Sequence, residues 1–267
     1  MFNVTLLYEQ VNKIRQSKKI ITNNFLPLKE VEDFSKMPAS QFLYNRNAAA
    51  LFVDDNGINR IYFYLDDLDN AIYLKMLLDE SKVLKKPYVI DCLGKEIFLD
   101  ELTNCFANQG IKLYKKMNRW QAVKVINLLS YTGQMLRTAQ PKDITEIIGV
   151  LETVMDPLIA HLPTKTKLEN LIKENLIFCA EINKKIVGVY CMEYIGKNSI
   201  YLYQDAVLPK YQGSGIGVKL LHFALNNYSC MNRYTAWIEE NNKMSEKMNS
   251  FVGLKKDTLK DYVFIYF

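Results

Sequence analysis

The residues of this chain most plainly arranged for chemistry lie between positions 201 and 217. A strand-like run, Ser199-Ile200-Tyr201-Leu202-Tyr203-Gln204-Asp205-Ala206-Val207, leads into Leu208-Pro209-Lys210-Tyr211-Gln212-Gly213-Ser214-Gly215-Ile216-Gly217. A helical pattern then continues through Val218, Leu220 and Leu221. Three glycines in five residues allow the main chain to approach a ligand closely, because no Cβ intervenes. The first N–H groups of a helix have no carbonyl one turn back, and the helix dipole adds positive potential there. Together these features make an anion site suited to phosphate. The stretch lacks the Gly-Lys-Ser/Thr ending of a P-loop and the G-x-G-x-x-G of a dinucleotide fold. A glycine-rich turn with no ligand has the same local sequence. Strand alternation places Tyr201, Tyr203, Asp205 and Val207 on one face, so a carboxylate and two phenols stand beside the loop. Glu193 on the preceding strand and Glu239 and Glu240 at the end of the following one are further carboxylates, for each of which solvation is the ordinary state.

The elements that must position this loop read clearly in the second half. Leu136 and its neighbours Met135 and Arg137 form a strand, and Pro141-Lys142-Asp143 opens a helix through Ile147, Leu151 and Val154. Lys165 to Glu174 is a second helix. Leu176–Glu181 and Ile186–Tyr194 are strands joined at Asn183-Lys184. After the loop come a helix (Leu220, Leu221, Ala224, Leu225), a strand (Tyr234 to Ile238), a helix (Lys243 to Phe251), Gly253 and a strand-like tail.

The same order appears earlier. Arg60-Ile61-Tyr62-Phe63-Tyr64-Leu65-Asp66 resembles Ser199-Ile200-Tyr201-Leu202-Tyr203-Gln204-Asp205, with Ile61 and Ile200 139 residues apart. After the first run come a helix (Ala71, Leu74, Leu77, Leu78), a strand (Tyr88 to Cys92), a helix (Leu99 to Asn108), Gly110 and a strand-like tail. Strand–helix–strand–helix–strand thus occurs twice, as two copies of one fold. A helix with Val4, Leu7, Val11 and Ile14 on one stripe precedes the first copy. Asp55-Asn56-Gly57 marks a hairpin turn between Ala48–Asp54 and Ile58–Leu65. The stretch from Gln121 to Gly133 joins the halves and is not low-complexity, so the copies divide into 1–130 and 131–267. Where the glycine loop would stand in the first copy, the chain has Asp66-Asp67-Leu68-Asp69, whose carboxylates would repel a pyrophosphate.

The second copy resembles the GCN5-related N-acetyltransferase (GNAT) superfamily. The likeness rests on Val207, Gln212, Gly215 and Gly217, the places of a motif that runs strand, Val, then Q/R-x-x-G-x-G/A at a helix head. It continues at Asn242, Ser245, Asn249, Gly253 and Leu254, where the family often has N-x-x-A-x-x-x-Y-x-x-x-G-F, and in the order of elements from residue 134 to 267. The implied fold is α/β (α+β): tandem GNAT-like folds, each a mixed central sheet flanked by helices, with the central strands of the C-terminal copy splayed.

The implied activity is transfer of an acyl group, usually acetyl, from acetyl-CoA to a primary amine by direct attack in a ternary complex. In that reading the amides of Gln212, Gly213, Ser214, Gly215, Ile216 and Gly217 hold the CoA pyrophosphate. The main chain at Ala206 and Val207 pairs with the pantetheine arm, and an amide near Val207 faces the oxyanion. Asp205 is the candidate general base and Tyr203 lines the acceptor site or packs in the core. Asn242 either touches CoA, secures the splayed strand or caps a helix. Asn249 stands where many family members carry a tyrosine that protonates the sulfur, and an amide cannot act as an acid near neutral pH. Tyr228, Tyr234 or Tyr262 could replace it in space, as could water. His222 packs or faces solvent. The first copy is degenerate and takes no CoA.

Composition narrows the alternatives. The chain has 267 residues, 49% hydrophobic and 24% charged, with 11 Gly and 7 Pro, as in ordinary globular proteins rather than disordered or collagen-like ones. The longest evident apolar run, Ala48 to Val53, is six residues, far short of the roughly 18 that span a bilayer. The N-terminus lacks a basic region followed by an apolar core, so a cytoplasmic location is expected. Five separated cysteines without CxxC read as reduced core residues, and with two histidines at no ligand spacing no metal is expected. The +5 charge is spread evenly over both halves, which argues against nucleic acid as a partner and against an aminoacyl-tRNA donor. The expected partner is a small-molecule or peptide amine, with a monomer or homodimer and no membrane. The alternative is a non-catalytic acyl-CoA-binding or scaffold protein, motivated by Asn249 and the decayed first copy.

Overall fold

The computed structural model describes residues 2–16, 20–81, 87–131 and 135–267. Gly133, the expected end of the connecting stretch, lies outside the described residues. The chain forms two compact units, one of residues 1–117 with 259–267 and one of residues 118–258.

The first unit contains α1 (Val4–Arg15), β1 (Ile21–Thr22), α2 (Leu28–Lys36), β2 (Gln41–Tyr44), β3 (Ala48–Asp55), β4 (Ile58–Leu65), α3 (Ala71–Glu80), β5 (Tyr88–Lys95) and α4 (Glu96–Ala107). Helix α1 starts where the Asn3 carboxamide oxygen accepts from the N–H groups of Thr5 and Leu6 at 2.9 and 3.2 Å. Its stripe of Leu7, Val11 and Ile14 packs with Val31, Ala49 and Tyr64 on one side of the sheet. The other side buries Phe52, Phe63 and Phe106 with the leucines of α3 and α4. Asn56 and Gly57 both take positive φ, 54° and 83°, the geometry of a type I′ turn that matches strand twist.

Strand β6 (Lys112–Ala122) carries the chain from the first unit into the second, which holds β7 (Leu136–Thr138), α5 (Ile144–Val154), α6 (Lys165–Lys173), β8 (Ile177–Ile182), β9 (Lys185–Tyr194), β10 (Ser199–Val207), α7 (Ile216–Asn227), β11 (Arg233–Glu239) and α8 (Lys243–Phe251). Its strand order is β11-β10-β9-β8-β7, with β10 antiparallel to β9 and parallel to β11. A Cβ on Gly188 of β9 would lie 3.0 Å from Leu220 and 3.1 Å from Ile216, so α7 rests directly on that strand. Gly253 has φ 96°, and a Cβ there would stand 2.9 Å from Ile126, which fixes the strand connection after α8 against residues 124–126.

The last strand, β12 (Lys255–Tyr266), returns the chain to the first unit at Leu259. It runs antiparallel to β5 from Leu259–Lys95 to Tyr266–Tyr88, and Tyr262, Phe264 and Tyr266 join the first unit's core. The compact units therefore divide at different places from the sequence copies expected at 130/131. A strand belongs to the sheet whose hydrogen bonds and apolar face it completes, whatever its position in the repeat. Cysteines 92, 179 and 191 are buried and unpaired as expected, but Cys105 is half-buried and Cys230 exposed. No group of His, Cys, Asp or Glu among the described residues could hold a metal ion, and no described helix is long and apolar enough to cross a membrane.

Candidate active site

The glycine loop sits at the head of α7. A short 3-10 turn, Pro209–Tyr211, closes with the N–H of Gln212 donating to the Pro209 carbonyl. That bond removes the Gln212 amide from the set expected to face an anion. The Gln212 side chain is occupied as well, donating to the Val207 carbonyl at 2.9 Å. From Gly213 onward the main chain opens. Gly213 and Gly215 have φ of 77° and 81°, and a Cβ on either would meet nothing within 4 Å. These glycines are required by backbone conformation and leave free space outside, rather than making room for the protein's own atoms. The N–H groups of Gly213 to Val218 have no acceptor among the described residues; the first helical bond closed at this end runs from Lys219 to the Gly215 carbonyl. The hydroxyl of Ser214 donates back to the Tyr211 carbonyl, which holds the turn from inside.

Strand β10 leads to this loop, and its pairing is uneven. It pairs with β11 from Ser199–Arg233 to Leu202–Ala236 and no further, although β10 continues to Val207 and β11 to Glu239. With β9 it stays paired to Val207–Gly188. The two parallel strands therefore part after Leu202, as the splayed arrangement expected of the C-terminal copy requires. The parting coincides with a β-bulge: Leu202 opposes Met192, whereas Gln204 opposes Cys191, leaving Tyr203 as the extra residue.

The bulge corrects the face assignment. Strict alternation puts Tyr201, Tyr203, Asp205 and Val207 together, but an extra residue reverses the side-chain sense beyond it. Tyr201 opposes Glu193, and Tyr203 reaches the α6 side, where its hydroxyl donates to the His161 carbonyl and Lys167 Nζ lies 4.2 Å from its ring centroid. Lys167 also pairs with Glu193 at 2.9 Å, so that carboxylate is engaged on the α6 side. Gln204 donates to the same His161 carbonyl at 3.0 Å. Asp205 opposes Tyr190 and Val207 opposes Gly188, on the side that faces α7. Tyr203 and Asp205 thus lie on opposite faces.

Asp205 is partly buried, and desolvation pushes its carboxyl up to about 6, with no charged side chain among the described residues offsetting it. A carboxyl in that range is mostly ionised at neutral pH yet basic enough to accept a proton. Asn249 on α8 is buried; its amide nitrogen donates to the Ser245 carbonyl at 3.0 Å, and its side-chain oxygen has no partner. Asn242 caps α8, accepting from the Ser245 N–H at 3.1 Å. The three tyrosines considered as replacements at the sulfur are engaged elsewhere. Tyr228 donates to the carbonyls of Glu174 and Asn175, Tyr234 to that of Tyr228, and Tyr262 to the Asp100 carboxylate of the first unit. His222 is buried in α7; its Nδ1 accepts from the Leu129 N–H at 3.2 Å, so it packs rather than reacts.

The first copy is built differently at the corresponding place. Its parallel strands β4 and β5 also part early, after Asn59–Tyr88 and Arg60–Val89. Here the chain fills the gap itself. Strand β1 pairs with β4 at Thr22–Tyr64 and Ile21–Leu65. The buried Asn23 amide donates to the carbonyls of Ile61 at 2.8 Å and Asp91 at 3.0 Å and accepts from the Phe63 N–H at 2.6 Å. Asn23 was not legible as a bridging residue, because one asparagine between helices carries no periodic signal.

Residues 173–250, which hold the loop, the bulge and most of α8, match the family model described as the acetyltransferase (GNAT) domain. No curated protein sequence matches the chain. An acetyltransferase of the GNAT family from Colwellia psychrerythraea superposes with a TM-score of 0.56 at 16% identity, covering 100% of this chain and 98% of its own. A GCN5-related N-acetyltransferase from Sphaerobacter thermophilus gives 0.59 at 13% identity, covering 91% and 86%. A tandem GNAT protein from the clavulanic acid biosynthesis pathway, solved without AcCoA, gives 0.50 at 9% identity, covering 86% and 83%. At such identities the likeness carries the fold: this chain has the mixed α/β architecture of GNAT structures, and its repeated element order fits that of a tandem member.

Proposed function

We propose that the chain is an acyl-CoA-dependent N-acyltransferase whose second unit moves an acetyl group from acetyl-CoA to a primary amine of a small molecule or peptide. The observation that carries this reading is the open strand edge of β10 beyond Leu202, ending at a loop whose N–H groups from Gly213 to Val218 lack acceptors among the described residues. A diphosphate satisfies such amides, and the helix dipole of α7 favours its charge. The edge near Ala206 and Val207 offers hydrogen-bonding groups to an extended arm, in the manner of an added strand. An amide at this edge stands where an oxyanion forms.

Asp205 takes the proton from the ammonium, which frees the nitrogen lone pair to attack the thioester carbonyl. The nitrogen of the tetrahedral adduct still carries one proton in excess; the carbon–sulfur bond breaks with its electron pair on sulfur, and water relays that proton from nitrogen to sulfur, since Asn249 has no acidic group to offer. The first unit, with Asn23 across its gap and carboxylates at Asp66, Asp67 and Asp69, takes no acyl-CoA.

The test is release of free CoA thiol from acetyl-CoA in the presence of a panel of primary amines. Turnover in the wild-type chain and none in Gly215→Glu is the expected result; turnover that survives the substitution overturns the loop assignment. Asn249 favours one second reading, a non-catalytic acyl-CoA binder, for which acetyl-CoA binds and no amine in the panel releases thiol.

A further inference from the structure

Asp205 has a neighbour with a hydroxyl on the same face of the sheet. Tyr190 on β9 stands directly opposite it in the strand register, on the face toward α7. Residues so paired have Cβ atoms about 4.5–5.5 Å apart. Tyr190 is 3% exposed as a residue, and its hydroxyl is not among the enclosed polar atoms that lack a partner, so the phenol tip reaches water on this face. Among the described residues no charged side chain offsets the desolvation of the Asp205 carboxyl, which leaves its neighbour across the strand pair as the nearest phenol on that face. Other groups turned toward this place offer neither a charge nor a donor. Helix α7 presents Ile216, Leu220 and Ala224, and β11 presents Ala236 and Ile238, all apolar and buried. From α8 the buried residue is Asn249, whose donor is held by Ser245. Burial and the Asp205 charge both push the Tyr190 phenol up, so it stays protonated and able to donate.

We propose that Tyr190 is the positioning residue of Asp205: its hydroxyl, through one water, donates to the ionised carboxylate and holds it ready to accept the ammonium proton. The inference rests on the acyltransfer reading for its catalytic consequence but not for the pairing itself. No bond to Tyr190 breaks in the reaction; the proton moves from nitrogen to an Asp205 oxygen, and the phenol keeps its own. Nothing in the sequence pointed to Tyr190, because in β9 it reads as one more apolar core position.

Tyr190→Phe removes one oxygen and keeps the ring. Loss of a donor to the charged form raises a carboxyl pKa. The acidic limb of kcat/KM should therefore move up by about 0.5–1 pH unit, kcat should fall, and the KM for acetyl-CoA should stay the same. The same shift should appear without any substrate, as the carboxyl carbon titration of Asp205 by NMR, assigned with Asp205→Asn. A carboxyl titration unmoved by Tyr190→Phe overturns the pairing. If the wild-type chain shows no turnover, that titration still decides the pairing, and only the acyltransfer reading fails.

Discussion

Replacing Asp205 by Asn should make the protein more stable and less active. An ordinary Asp has a pKa near 3.8, and burial raises this one to about 6. Holding it ionised in the folded state thus costs about 3 kcal/mol at most, at about 1.4 kcal/mol per pKa unit. Its exposed edge reduces that, so about 1–3 kcal/mol is the expected gain for the neutral amide at pH 7. The direction with pH follows from proton binding. Between about pH 4 and pH 6 the folded state holds more protons at this site than the unfolded chain. The wild-type protein therefore loses this stability as pH rises through that window. The advantage of Asp205→Asn should be near zero at pH 4 and complete by pH 7. Thermal melts of both proteins from pH 4 to 8 measure it. In parallel, kcat/KM should fall by about 100-fold or more, and the acidic limb near pH 6 should disappear. A variant that is less stable than wild type at pH 7, or that retains the limb, would refute the assignment of Asp205 as a desolvated base.

Three further outcomes follow from the packing. Arg60, 1% exposed, pairs with Asp55 at 2.9 Å and Asp91 at 2.8 Å; Arg60→Ala takes the cation from two half-buried carboxylates and empties its own buried place, and should lower stability by about 2–4 kcal/mol in urea unfolding. Asn23→Ala strips partners from Ile61, Phe63 and Asp91 main-chain groups and should lower stability by about 2–4 kcal/mol, read from the urea midpoint. His222 is held neutral by burial and by accepting the Leu129 N–H, so its folded pKa lies below the unfolded value. Its share of stability is present above about pH 6.5 and is lost as pH falls below that, and His222→Gln, which keeps an acceptor, should flatten this part of the curve.

The loop and its flanking elements were readable because each carries a local signal. Glycines at 213 and 215 mark positive φ, and the buried stripe Ile216, Leu220, Ala224 has helical spacing. The bulge at Tyr203 was not readable, since Tyr201, Tyr203 and Asp205 keep a period of two whether or not a residue is extruded. What decides the extrusion is pairing with β9 and the anchoring of Tyr203 and Gln204 at His161, a contact over some 40 residues of chain. The place of β12 was hidden for a similar reason. Tyr262, Phe264 and Tyr266 say that the strand is buried, but not in which core. The loss of the Gln212 amide to a 3-10 turn likewise depends on Pro209, one turn upstream, rather than on the glycines.

The central claim is that the loop at Gly213–Gly217 grips the diphosphate of an acyl-CoA. Titration calorimetry of the full chain with acetyl-CoA tests it most directly. The account predicts one site per chain, because Asn23 closes the first copy, and loss of at least 100-fold in affinity in Gly215→Glu. Two sites, equal affinity in the variant, or no heat at millimolar acetyl-CoA would contradict it.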